Sequence, residues 1–339
     1  MIPSVGLGWR PETAWLIDTR PIAFSEVIAE NIDARRPPRA LADAVERGLV
    51  VVTHGVSLSL GGGEPPARAR IARLAAVART LRSPLVSEHI AFVRAGELEG
   101  THFLPVPRTR GQLAILVDHV RRVMDQLPVP LALENIAAPV AWPGDELEEA
   151  DFVAELLERT GAQLLLDVAN LHANLVNYGG DLARYLDRLP LDRIAYMHAA
   201  GGARVDAMWR DTHAHPIGPT LLDVLAKILA RTGPVPILLE RDHAFGTRAA
   251  LDLELDALDA VLARAYAVDA GRAEPTGEVA HYCALPVVDA SLRQSLTTAH
   301  RALLRTVLEP AVPPPNGFAP HQIAEARAIL ASRDRHAKH

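Results

Sequence analysis

The chain has 339 residues, 49% of them hydrophobic and 22% charged, enough apolar material for a core and too much for a disordered chain. Its formal net charge of −6, with both signs interspersed, argues against a nucleic-acid partner, and no apolar run reaches bilayer length. The single cysteine, Cys283, excludes an internal disulfide and any Cys-based metal motif, leaving 14 histidines and 41 acidic residues as the available ligands.

In chain order, the opening MIPSVGLGWRPE has no basic region leading into an apolar one. A cytoplasmic location without a membrane partner is therefore expected. Short apolar runs follow at 4–10, 24–31, 49–55, 84–89, 130–135, 163–168, 194–199 and 235–242, and each reads as a strand. Helical periodicity occupies 37–47, 65–82, 108–126, 147–160, 180–188, 218–232 and 246–267. Pro65 and Pro66 open one of these helices, and Gly161 and Gly233 close two others.

Eight strand units alternating with helices predict an α/β fold, a TIM-like (β/α)8 barrel over 1–267. An open doubly wound sheet would show fewer strands and a glycine-rich phosphate turn, for which GLGWRP lacks the third glycine. Residues 268–339 break the alternation. A helix at 289–309 with Asp289 as N-cap, the stretch PAVPPPNG and a basic helical tail from Pro320 predict a C-terminal helical appendage, which either packs against the barrel's flank or offers a place for a partner or peptide to dock.

Active sites of such barrels lie at the C-terminal strand ends. The runs here end at Arg10, Glu30, His54, His89, Glu134, Asp167, His198 and Glu240. One polar strand end is ordinarily a helix cap, but six in succession, three imidazoles and three carboxylates, point to a metal site. Histidine and carboxylate without thiolate suit iron, manganese or zinc. The connection after the seventh strand reads as a long loop that opens on paired glycines and carries WRDTHAHPIG (209–218). Its Asp211 and His213 join the ligand candidates, against the plainer reading of a polar helix start. Asn170 is a further candidate, and His172 and His215 stand beside it. Trp9, Trp15, Trp142 and Trp209 read as rim packing, with pocket lining the alternative for Trp209, and His119 as surface or core filling. No Ser-His-Asp spacing, GxSxG turn or phosphate-cradling loop is present.

HGVSLSLG (54–61), SEHIAF (87–92), LENIA (133–137), LLLDVANLHAN (164–174), MHAAG (197–201), DTHAHPI (211–217) and LLERD (238–242) resemble, in order and spacing, the DUF692 (UPF0276) family of multinuclear non-haem iron-dependent oxidative enzymes. The similarity spans about residues 4–265 and implies a xylose-isomerase-like barrel with two or three iron ions. It also implies O2-dependent oxidation of a residue, commonly cysteine, in a ribosomally made precursor peptide, beside a separate peptide-recognition protein. By position, His54, His89 and Glu134 would hold one iron, and Glu134 would bridge to a second held by Asp167, His198 and Glu240. Asn170, Asp211 and His213 match a third set. Glu134, Asp167, His198 and Glu240 are the implied catalytic core. The chain departs from the family pattern at Ala169, His172, Gly202 and Ala214.

Two other functions fit the same ligands. One is a divalent-metal isomerase, epimerase or hydrolase, which lysine near the mouth would favour, although only Lys227 and Lys338 occur. The other is a non-catalytic, metal-dependent peptide-binding module.

Overall fold

In the computed structural model, which describes residues 4–206, 208–269 and 282–336, eight parallel strands close into a barrel. They are β1 (Val5–Gly8), β2 (Phe24–Ile28), β3 (Val50–His54), β4 (Val86–His89), β7 (Leu131–Glu134), β8 (Gln163–Asp167), β9 (Ile194–Ala199) and β12 (Ile237–Leu239). Each pairs with the next, and β1 closes the ring against β12. All eight predicted runs are barrel strands, shortened at their ends where the chain turns into loops.

Helices cover the outside: α1 (Ala14–Thr19), α2 (Arg39–Glu46), α3 (Arg68–Thr80), α4 (Arg110–Met124), α5 (Glu149–Thr160), α6 (Val168–Tyr178), α7 (Leu182–Arg188), α8 (Pro219–Thr232) and α9 (Arg248–Asp269). Gly161 ends α5 in the left-handed conformation with φ 75°, as its position predicted. Helices α1 and α6 were not anticipated. In α6 the helix starts directly after the strand, because the Asp167 carboxylate accepts the Asn170 N–H at 2.6 Å and caps it with no spacer.

Two antiparallel hairpins rise from the barrel mouth: β5 (Ala91–Ala95) with β6 (Leu98–Pro105), and β10 (Gly201–Val205) with β11 (Met208–His215). The second corrects the expectation of a long loop after the seventh strand. The HGVSLSLG segment packs beneath the first: Ser59 Oγ accepts from the Val93 N–H at 3.1 Å, and His119 Nδ1 donates to the Leu60 carbonyl at 2.9 Å. His119 is therefore a fully buried anchor, not a surface residue.

Successive strand residues face opposite sides of a sheet. The barrel interior is plugged by Phe24, Val52, Leu85, Ala132, Leu165, Tyr196 and Leu238, a cluster separate from the larger core between sheet and helices. Gly6 makes room for this plug, since a Cβ there would lie 2.6 Å from the Phe24 ring. Two residues further along the same strands stand Glu26, His54, Ser87, Glu134, Asp167, His198 and Glu240, all buried. Polar groups thus form the layer above an apolar floor.

The C-terminal part adds α10 (Ala290–Leu308), capped by Asp289 as predicted, and α11 (Pro320–His336). Helix α10 lies across β5 and β6, and α11 against β6 and α10. Arg293 of α10 donates to His119 Nε2 at 2.7 Å and to Asp118 at 2.5 Å. Trp142 is no rim residue: it stands edge-on to Phe318 at 5.1 Å and to His300 at 5.7 Å, beneath these helices. Lys338 lies outside the described residues. Among the described residues no helix is long and apolar enough to cross a membrane.

Candidate metal centre

The polar layer gathers into overlapping groups. His54, His89 and Glu134 each bring a ligand atom within 4.8 Å of the others. Glu134, Asp167, His198 and Glu240 form a second group, Asp167, Asp211 and His213 a third, and His213, Glu240 and Asp242 a fourth. Glu134 faces two groups with different atoms: Oε2 lies 3.6 Å from His54 Nε2 and 3.3 Å from His89 Nε2, while Oε1 lies 3.4 Å from His198 Nδ1. Glu240 does the same on the other side, with Oε2 3.1 Å from His198 Nδ1 and Oε1 3.3 Å from His213 Nδ1.

His213 reaches this cluster because its strand is irregular. The β10–β11 register jumps from Gly202 opposite Asp211 to Gly201 opposite His215, so residues 212–214 bulge out of the ladder. His213 at the centre has φ 50°, a conformation uncommon for a non-glycine residue. Its Nε2 sits against Asp211 Oδ2. The preceding glycines allow the close crossing: a Cβ on Gly201 would lie 1.9 Å from the His215 carbonyl oxygen.

Burial in this layer sets carboxylates against imidazoles. Burial would raise Glu134, but His89, His198 and His54 outweigh it and hold the carboxyl below its ordinary range. Glu240 is depressed likewise by His213 and His198. Asp167 goes the other way: burial, Asp211 and Glu134 all push it well above the usual value. Burial would lower the histidines, yet Glu26, Glu240 and Glu134 carry His198 well above its ordinary value, and Asp211 and Glu240 do the same to His213.

Within this layer, six buried atoms lack a hydrogen-bond partner: Glu134 Oε2, Asp167 Oδ2, His198 Nδ1, Asp211 Oδ1, His213 Nε2 and Glu240 Oε2. Buried polar atoms are normally paired. Buried carboxylate oxygens and imidazole nitrogens that converge this closely are the set a cation would satisfy in place of shared protons, and this nitrogen and oxygen set suits hard or borderline first-row metals. The residues present therefore fit a metal centre.

Other sequence candidates sit at the edge or outside. Asn170, on the first turn of α6, donates its amide to the Asn135 carbonyl at 3.0 Å, so only its amide oxygen can be offered to a cation. Glu30 is a loop clamp, accepting the Val56 N–H at 3.2 Å. Arg10 pairs with Asp242. His172 packs edge-on to Trp209 at 5.2 Å, and His215 bonds Thr212 at 2.6 Å, away from the cluster.

Several residues around the ligands escaped the sequence reading. Glu88 holds His89, with Oε1 3.2 Å from Nδ1 and 2.8 Å from the backbone N–H. Asn135 and Asp167 exchange two hydrogen bonds, at 2.9 and 3.0 Å. Glu26 lies 3.0 Å from His198 Nε2 and 2.5 Å from the Tyr196 hydroxyl. Burial would raise its pKa, but His198 and His54 hold it below the ordinary range. Counting inward positions by two from Phe24 would have found Glu26.

Above the cluster opens a cleft of about 890 Å³ with Phe103, Met208 and Trp209 among its apolar walls and Asp211, His213 and Glu240 at its base. Glu325 and Ile329 of α11 line it as well. Phe103 stacks on His89 with ring centroids 3.7 Å apart.

Residues 4–263 match the family model described as "RiPP precursor modification enzyme MbnB/TglH/ChrH", where RiPP denotes a ribosomally made, post-translationally modified peptide. A UPF0276 protein of Streptomyces avermitilis is 50% identical over 270 residues, covering 77% of this chain and 55% of that protein. The chain thus spans little more than half of that relative. A UPF0276 protein of Bordetella bronchiseptica is 37% identical over 273 residues, 78% of this chain and 94% of its own. Endonuclease IV from Thermus thermophilus is similar in fold alone, with a TM-score of 0.51 at 19% identity over 77% of this chain and 100% of that one.

Proposed function

Because the chain belongs to the MbnB/TglH/ChrH family of RiPP precursor modification enzymes, we propose that it oxidises a residue of a ribosomally made precursor peptide in an O2-dependent reaction at two or three non-haem iron ions. Cysteine is the favoured target. The observation that carries this reading is the convergence of six partnerless buried atoms from Glu134, Asp167, His198, Asp211, His213 and Glu240.

Iron held there would supply the electrons for O2 reduction and Lewis acidity toward a substrate thiolate. His54, His89 and Glu134 would hold one ion, and Glu134 would share the next with Asp167, His198 and Glu240. Asp211 and His213, with Asn170 beside them, would complete a third position. The two-faced placement of Glu134 and Glu240 supports neighbouring ions over isolated ones. Phe103 and Trp209 give the cleft apolar walls, and the volume of about 890 Å³ accommodates a short peptide segment.

A divalent-metal isomerase or hydrolase would use the same ligands. Lys227, however, pairs with Asp223 on the outer helix α8, so it brings no lysine base to the mouth. A non-catalytic peptide-binding module leaves the partnerless acceptors equally satisfied by metal but predicts no turnover.

The test is anaerobic metal analysis, iron reconstitution and O2 uptake, followed by co-expression with a cysteine-containing precursor and mass measurement of the peptide. A mass change dependent on iron and O2 is expected. A chain carrying only zinc or magnesium that never consumes O2 after iron is restored overturns the oxidative reading.

A further inference from the structure

Within the ligand layer, and dipping to Tyr196 of the floor, one unbroken run of buried side chains links His54 to His198. His54 Nδ1 lies 2.8 Å from Ser87 Oγ, and Ser87 Oγ lies 2.8 Å from the Tyr196 hydroxyl. That hydroxyl lies 2.5 Å from Glu26 Oε2, which is also 3.0 Å from His198 Nε2. Every member is buried. The run lies on strands β3, β4, β9 and β2.

The hydrogens in such a run can be counted. An ionised carboxylate only accepts, a hydroxyl has one hydrogen to give, and a neutral imidazole has one N–H. Glu26 therefore takes the single hydrogen of Tyr196. Tyr196 then has none for Ser87, so the contact between them uses the serine hydrogen. With that hydrogen spent, Ser87 Oγ can only accept from His54, whose proton must be on Nδ1. At the other end Glu26 accepts from His198 Nε2–H. The nitrogens left bare are His54 Nε2 and His198 Nδ1, which face opposite oxygens of Glu134.

We propose that Glu26 is a positioning residue that fixes the tautomers of two histidines at once, His198 directly and His54 through Tyr196 and Ser87, so that both present a bare nitrogen to the metal centre. The two histidines use different ring atoms toward the cluster, Nε2 in one and Nδ1 in the other, so no single backbone geometry imposes the choice. One carboxylate placed between them imposes both. For His89 alone, Glu88 and the Gly55 carbonyl, each 3.2 Å from Nδ1, perform the same task. Partners of this kind orient an imidazole, and their removal ordinarily lowers metal affinity about 10- to 100-fold.

The proposal rests on the reading that His54 and His198 hold metal. Zinc is diamagnetic and serves as the probe. In long-range 1H–15N spectra of the zinc-loaded chain, His54 should carry its hydrogen on Nδ1 and His198 on Nε2. Tyr196→Phe keeps the ring, which packs edge-on to Phe24 at 6.3 Å, and cuts the run in the middle. It should lower zinc affinity about tenfold at the His54, His89 and Glu134 group only. Ser87→Ala should reproduce this, and Glu26→Gln should weaken the His198 group as well. Circular dichroism of each variant separates these effects from misfolding, and the wild-type spectra decide the proposal whether or not a variant folds. Zinc bound with either tautomer reversed, or Tyr196→Phe weakening both groups equally, overturns the proposal alone. A wild-type chain that binds no zinc overturns the metal reading together with it.

Discussion

Arg210 and Glu325 meet as a two-pronged ion pair that fastens α11 to the strand carrying Asp211. Arg210 Nη2 lies 2.7 Å from Glu325 Oε2 while Nε contacts Oε1. The glutamate is buried and the arginine largely so, with side-chain exposures of 7% and 18%. Glu325→Ala leaves a mostly buried guanidinium unpaired and should cost about 1–3 kcal/mol, less than for a fully enclosed pair. Denaturant titration checks the size, and a double-mutant cycle with Arg210→Ala isolates the pair. Amide exchange in α11 should accelerate in the variant. Unchanged exchange would mean that α11 is held by its apolar face alone.

Glu134→Ala should lose more than one metal equivalent, because its two oxygens face separate ligand groups. His89→Ala, which serves a single group, should lose fewer. Metal content by mass spectrometry, measured at equal protein concentration, compares the two. Equal losses would show that Glu134 serves one position only.

His300 makes the folded chain sensitive to acid. It is fully enclosed, stacked on Phe92 at 4.2 Å, and neither ring nitrogen has a hydrogen-bond partner. Burial lowers its pKa from 6.5 to about 3. The fold therefore favours the neutral ring: this stability is present in full above pH 6.5 and is lost as pH falls from there toward 3. At pH 5 the loss is about 2 kcal/mol. His300→Phe should remove that share of the difference between pH 7 and pH 5. A remainder should persist from His119, whose pKa burial lowers to about 4. Thermal melts at the two pH values read both.

Gly201→Ala should disturb the second hairpin and not the barrel. The added Cβ would overlap the backbone of His215 and Pro216, which must move and carry the Asp211–His213 bulge with them. Metal bound by Asp211 and His213 should be lost while the His54, His89 and Glu134 group keeps its own. The fold should remain, with destabilisation of about 1–3 kcal/mol, the ordinary range for overpacking. Retention of all metal would place Asp211 and His213 outside the centre.

The eight barrel strands were legible because each is buried on both faces and so reads as a short apolar run. The ligand candidates on the strands were legible for a related reason: an imidazole or carboxylate ending such a run stands out. Helix α6 was hidden because Asp167 serves as both strand end and helix cap, which removes the turn that usually separates two elements. The hairpins were hidden because their strands, LEGTHFLP and MWRDTHAH, are half-buried and carry no clean alternation. Glu26, Ser87 and Tyr196 lie inside strands, where residue type alone gives no reason to separate them from packing. Glu30 attracted notice by ending the same apolar run, although the structure turns it to a loop amide.

The β5–β6 hairpin has an aromatic ring working on each side. Phe103 lies flat on His89, and Phe92 lies flat on His300 of α10. A chain trimmed at residue 267 to obtain a minimal barrel would lose the cover over Phe92 and Trp142 and also the α11 wall of the cleft. The shortest fragment worth expressing is set by what props up that hairpin, and it runs through α11.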